Sequence, residues 1–296
     1  MSTENCQPIL ANRMMLGECP VWHSQESALY WIDIDGCAVH RFHPQTETHR
    51  QWATPSEPGC IAIHGDGGLL VALRSGLALL NTQSGQLTHI TDAPYDPATT
   101  RFNDGRCDAA GRLWVGTIYE PRDRPDAALF CVEHDVLRDS GKRATVSNGV
   151  AFSPDNRTLY HSDTTSHQVR AYAFDLATAT LGAERIVKQF STDRNHQYGG
   201  RPDGATVDRD GAYWCAMYEG GRLLRLSPDG EILREVMLPV RCPTMMAFGD
   251  DDLRTLYITT VSNKRSAEEL AQHPLSGCVL RLRVDVPGLP EHIYRP

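Results

Sequence analysis

Four side chains that carry a hard oxygen atom, Glu18, Asn103, Asn148 and Asp203, each stand at the head of a short segment that reads as a β-strand. Carboxylates and amide oxygens are the ligand chemistry that suits calcium, magnesium or manganese, with zinc also admissible. Gathered at one place, such groups would repel one another and resist desolvation unless a divalent cation compensated them. Gly17-Glu18-Cys19-Pro20, Ser147-Asn148-Gly149 and Pro202-Asp203-Gly204 set three of them beside glycine or proline, which permits close backbone approach and fixes local geometry. Turns alone would ask for the same neighbours, because Asp and Asn favour strand ends. What separates the two readings is whether the positions correspond to one another in the fold.

They correspond through a repeat. Short apolar strands recur six times: Leu29–Ile34, Leu69–Arg74, Leu113–Ile118, Leu159–Thr164, Tyr213–Tyr218 and Leu256–Val261. Each follows a turn rich in Asp, Gly, Asn or Ser, such as Asp108-Ala-Ala-Gly111, Ser153-Pro-Asp-Asn156 or Asp208-Arg-Asp-Gly211. Another apolar run precedes each turn. A third strand follows, for example Val39–Phe42, Gln168–Phe174, Arg222–Leu226 and Cys278–Val284, and then a fourth. Four antiparallel strands per unit, repeated six times, predict an all-β, six-bladed β-propeller forming one domain over residues 1–296. The one helical candidate is Ser266–His273. The sixth copy runs out after its third strand, whereas Gln7–Ala11 belongs to no blade, so this N-terminal strand is expected to close the last one. Aligning the copies on their innermost strands places Glu18, Gly59, Asn103, Asn148, Asp203 and Thr244 at one equivalent position, 41 to 55 residues apart. In a closed ring these side chains converge on the central channel.

The sequence resembles the senescence-marker-protein/gluconolactonase/luciferin-regenerating-enzyme family of regucalcin-like sugar lactonases over essentially its whole length. The motifs are Leu16-Gly-Glu-Cys-Pro-Val-Trp22, Arg101-Phe-Asn-Asp-Gly105 with Gly111-Arg-Leu-Trp-Val-Gly-Thr117, Ser147-Asn-Gly-Val-Ala-Phe-Ser-Pro-Asp155, and Arg201-Pro-Asp-Gly204 with Glu219-Gly-Gly-Arg222. The resemblance implies hydrolysis of an aldonolactone to the open sugar acid, with one divalent metal (calcium, zinc, magnesium, manganese or iron(II)) in the channel. By position, the family's metal ligands fall on Glu18, Asn148 and Asp203, and its substrate-binding residues on Arg101, Asn103 and Glu120. Asp203 is the expected general base, with Glu18 as the alternative. Departures from the family pattern are Cys19 after the first glutamate and the bulky Ile118-Tyr119 before Glu120, from which Tyr119 is expected to narrow the pocket. The long connection Ser191–Gly200, with His196 and Tyr198, arrives just before Asp203 and reads as a lid or as a plain surface loop.

Composition trims the alternatives. A balance of 29 basic against 37 acidic residues, −8 overall, argues against a nucleic-acid binder. No stretch approaches the roughly 20 apolar residues of a membrane span, and Met1–Met15 lacks the pattern of a signal peptide, so a cytoplasmic location is expected. Nine scattered cysteines form no Cys-x-x-Cys pair, which excludes a zinc-thiolate site. Gly-x-Ser-x-Gly, Walker and His-Glu-x-x-His motifs are absent. Two rivals remain: a non-enzymatic calcium-binding platform, and a metal-dependent esterase for another ester class. The polar set Arg101, Asn103 and Glu120 favours a hydroxyl-rich small-molecule substrate, since an apolar ester would leave buried donors unpaired.

Overall fold

The structure, a computed structural model, describes residues 6–195 and 198–296. Six four-stranded antiparallel sheets follow one another along the chain, spanning residues 17–53, 58–92, 100–144, 147–189, 201–237 and 243–283. In each, the first strand lies innermost and packs against the first strand of the next blade, and the sixth packs against the first, closing a six-bladed β-propeller. As the N-terminal apolar segment led us to expect, the outer edge of the last blade is supplied by Gln7–Pro8, paired with Arg281 and Leu280. Pro8 has no N–H to give, which suits a terminal edge strand and keeps it short. The one helix among the described residues, Ala267–Gln272, begins where the Ser266 side chain caps Glu269 N–H.

Burial follows the strand order. Innermost strands such as Ser147–Phe152 and second strands such as Ala28–Asp33 are buried along their whole length, since neighbouring blades cover both faces. Fourth strands such as Thr48–Ala53 and Thr180–Gln189 are mostly exposed and polar, which blunts a free sheet edge. Blades three and five share an anchor: Asp108 accepts from Trp114 Nε1 (2.9 Å) and Arg112 Nε (2.8 Å), and Asp208 accepts from Trp214 Nε1 (2.8 Å) and Arg225 Nε (2.6 Å). Each pins the turn between its first two strands to the blade core.

Residues 284–296, to which the sequence reading assigned no element, run across one end of the channel. Tyr294 N–H donates to Ile63 O, Arg295 N–H to Gly111 O and Gly288 N–H to Leu253 O, while Glu291 pairs with Arg106. The other mouth, where the innermost strands begin, is left open to build a site. Among the described residues no helix is long and apolar enough to cross a membrane.

Candidate active site

All six innermost strands lose register within one residue of the aligned position, at Glu18, Pro58, Phe102, Asn148, Pro202 and Pro243. A β-bulge there bends the strand and re-aims its side chains, in this case into the channel mouth. Glu18, Asn103, Asn148 and Asp203 consequently line one cavity of about 120 Å³ together with Arg101. The bulge demands unusual backbone: the residue after Glu18, Cys19, has φ 44°, and the residue after Asn148, Gly149, has φ 61°. Cys19 uses that conformation to donate its N–H to Glu18 Oε2 (3.1 Å), which orients the carboxylate. Blades two and six contribute no ligand atom: a Cβ at Gly59 would meet Phe102 O at 2.2 Å, and the Thr244 hydroxyl is committed to Gly17 O (2.6 Å).

A chain of hydrogen bonds crosses three blades. Arg101 Nη1 donates to Asn103 Oδ1 (2.8 Å), Asn103 Nδ2 donates to Asn148 Oδ1 (2.8 Å) and Ser147 O (2.9 Å), and Asn148 Nδ2 donates to Thr164 Oγ1 (2.8 Å). Thr164 Oγ1 passes its own proton to Pro202 O (2.7 Å). The Asn148 amide is thereby oriented from both ends, and its Oδ1, which accepts one hydrogen bond, keeps acceptor capacity to spare.

Buried carboxyl groups crowd together on the floor of this cavity. Burial, then Asp203 and Asp104, push the Glu18 carboxyl well above the usual range. Asp203 is pushed up to about 8 by burial and by Asp104, against the opposing pull of Arg201 and Arg122. Asp104, which the sequence reading did not single out, is itself raised to about 6 by burial; Val150 N–H holds its Oδ2 (2.9 Å), and its buried Oδ1 has no partner among the described residues. Two buried carboxylates lining one cavity, a third within electrostatic reach, and an amide oxygen that accepts a single hydrogen bond would fit a hard divalent cation at Glu18, Asn148 and Asp203. Among the described residues no three His, Cys, Asp or Glu side chains close around a metal position by themselves, so this donor set needs the amide oxygen of Asn148 as its third member.

Other expected residues lie differently. Glu120 does not line the cavity: its two oxygens accept from Arg74 (2.9 and 3.0 Å), and its Oε1 stands 3.8 Å from Arg101 Nε, so it braces Arg101 from behind. Ile118, not Tyr119, faces the cavity; the Tyr119 ring turns outward and carries the Arg124 guanidinium at 4.5 Å. Strand alternation explains the exchange, since neighbours on a strand point to opposite faces. In the loop before Asp203, Tyr198 reaches His167 Nε2 (3.4 Å), and His196 lies outside the described residues. A second cavity of about 200 Å³ lies under the C-terminal segment, around Arg106, Phe152, Glu291 and His292. Its ionic groups are already paired with each other, so it offers no comparable convergence of unspent polar atoms.

Residues 16–262 match the model of the SMP-30/Gluconolactonase/LRE-like region. The chain belongs to this family. It is 45% identical to a 6-deoxy-6-sulfogluconolactonase of Pseudomonas putida, over 98% of this chain and 99% of that one. It is 33% identical to a pentonolactonase of Haloferax volcanii, over 93% of each. Among solved structures, a calcium-binding protein, regucalcin, from Agrobacterium tumefaciens superposes with a TM-score of 0.93 at 24% identity and full coverage of both chains, which supports the propeller fold.

Proposed function

We propose that this protein hydrolyses the cyclic ester of an aldonolactone, of the gluconolactone, xylonolactone or arabinonolactone type, to the free aldonic acid. One divalent cation would be held by Glu18, Asn148 and Asp203. The observation that carries this reading is the convergence of two buried carboxyl groups, an oriented amide oxygen and a buried guanidinium in one cavity. Relatives named as lactonases over nearly the whole chain support the reaction class.

A cation at this position supplies positive charge against which an ester carbonyl polarises. The rest of the work falls to the chain. Asp203 takes the proton from the water that attacks the carbonyl carbon and returns it to the ring oxygen as the acyl C–O bond breaks, and Glu18 is the second carboxylate within the cavity. Arg101 offers its guanidinium to substrate hydroxyls, held in place by Asn103 in front and by Glu120 behind. Asn103 serves twice, since the same amide fixes the rotamer of Asn148. An apolar ester would leave the donors of this polar lining unpaired, which favours a hydroxyl-rich ring.

The test follows acid release at constant pH from a panel of pentono- and hexonolactones, using chelator-stripped protein, protein resupplied with divalent ions, and Asp203→Ala. After spontaneous ring opening is subtracted, cation-dependent acceleration should be present in the wild type and reduced at least 1000-fold in the variant, about the loss expected for a group acting on the reacting atoms. An active Asp203→Ala protein with a bound cation would overturn both roles of that residue. A cation-bound wild type inert on every lactone would favour the calcium-binding platform.

A further inference from the structure

The cavity carries more positive charge at its rim than the residues described so far use. Besides Arg101 it is lined by Arg122 and Arg201. Arg122 sits on the connection 120–126 between the second and third strands of blade three. Its backbone is left-handed at φ 57°, and its N–H closes a tight turn onto Tyr119 O (3.1 Å). The acidic residues of the same connection, Asp123 and Asp126, pair with Arg124 instead (3.4 and 3.2 Å). The Arg122 guanidinium is thus left without a hydrogen bond or ion pair among the described residues.

Arg201 enters from blade five, two residues before Asp203. Its guanidinium lies over the Tyr218 ring at 5.0 Å, its Nη2 stands 3.4 Å from Glu219 Oε2, and its buried Nε has no acceptor among the described residues. Glu219 is also approached by Arg194 and Arg265, each at 3.7 Å, and Arg265 shares Glu269 (3.8 Å) with Arg241 (2.6 Å), so two carboxylates face four guanidinium groups and positive charge is left over. Thr165, on the turn of blade four that lies between them, lines the same cavity, and its hydroxyl is uncommitted among the described residues.

On the basis of the lactonase reading, we propose that Arg122 and Arg201, with the Thr165 hydroxyl between them, bind a negatively charged substituent of the lactone: a sulfonate, phosphate or carboxylate borne away from the ester. Neutral hydroxyls do not call for two guanidinium groups, whereas an oxyanion with several acceptor oxygens satisfies both forks at once. Guanidinium groups left bare above a cation-holding floor would also repel that cation, a repulsion that a bound anion relieves. The arrangement sets the direction of binding: the anionic end faces the rim and the ester carbonyl faces Glu18, Asn148 and Asp203, which orients the reacting bond. On a chain of net charge −8, such a patch is also what would draw an anion to this mouth.

The experiment compares kcat/KM of the cation-replete protein on glucono-1,5-lactone with its 6-phosphate, 6-sulfonate and 6-carboxylate counterparts, the three arms ranking the anionic group. At least one charged lactone should exceed the neutral one tenfold or more. Arg122→Gln should lower that charged-over-neutral ratio about tenfold, mostly through KM, and Arg201→Lys, which keeps the charge but loses the planar fork, should lower it several-fold. A ratio near one in the wild type, or a ratio unmoved in Arg122→Gln, overturns the subsite while leaving the lactonase reading standing. Calorimetric titration with gluconate and 6-phosphogluconate separates the two ideas if no lactone is turned over. Tighter binding of the phosphate by tenfold, lost in Arg122→Gln, then supports the subsite without the reaction, and equal binding rejects it.

Discussion

Cation-free protein should lose stability as pH rises through neutrality, and a divalent cation should remove most of that loss. In the unfolded chain Asp203 ionises near its ordinary 3.8, whereas in the folded, cation-free protein it is held up to about 8. Between those values the folded state retains a proton that the unfolded state has released, so this contribution is fully present at low pH and declines as pH rises toward 8. Glu18 is displaced in the same direction and shares the titration. Buried His40 and His161 act oppositely: both are lowered to about 4, and their contribution grows with pH through and above 6.5, where the unfolded histidines are half released. They are common to the wild type and Asp203→Asn, so the difference between the two over the interval from pH 6.5 to 8 isolates the carboxylate. At about 1.4 kcal/mol per pH unit for one proton, the drop across it is about 2 kcal/mol. With an unfolding entropy of about 2 cal/mol/K per residue over this chain, that is roughly 3 °C in Tm. The assay is scanning calorimetry of chelator-treated protein at pH 6.5, 7.2 and 8.0, with and without calcium or manganese, alongside Asp203→Asn. The wild type should show the drop and a cation gain that grows with pH, because protons compete for the same oxygens. The variant should lose most of both. A chelated wild-type Tm that stays flat or rises relative to that of Asp203→Asn over this interval, with a cation gain independent of pH, would refute the reasoning.

Further outcomes follow from other contacts. Asp208→Ala strands the Trp214 indole N–H and the Arg225 guanidinium inside blade five; breaking a buried ionic anchor should cost about 3 to 5 kcal/mol, read as the shift in denaturant midpoint. Gly149→Ala places a Cβ 2.2 Å from the Tyr213 hydroxyl oxygen and 2.6 Å from Ser162 Oγ at a positive φ, and should cost at least about 1 to 3 kcal/mol while weakening cation affinity through the displaced Asn148, measured by calorimetry. Glu291→Gln leaves Arg106 bound to Val150 O and Ala205 O but uncompensated in charge; a loss of about 1 to 3 kcal/mol is expected, with kcat little changed because the pair lies at the far mouth.

What the sequence determined by itself is the ring and the polar residues that meet at its mouth. Six copies of one strand pattern, with an apolar segment at the start to complete the sixth, leave few closures other than a six-bladed propeller. Within such a repeat, equal position in the copy becomes equal position around the channel, which is why Glu18, Asn103, Asn148 and Asp203 could be named together although they are far apart in the chain. The helix at 267–272 was legible for a local reason, its Ser266 cap. Tertiary structure decided the rest. The bulges break strict alternation, so Asp104, next to Asn103, comes within electrostatic reach of Glu18 and Asp203, which a two-residue period would not allow. The pairing of Glu120 with Arg74 was not legible in the sequence, because Arg74 comes from another blade 46 residues away. Arg122 and Thr165 lie on connections with no period to read, and the terminal segment 284–296 has no pattern until its backbone finds Ile63, Gly111 and Leu253. Repetition carries a fold in one dimension, whereas charge balance at a mouth depends on which loops meet there, and that is settled only when the ring closes.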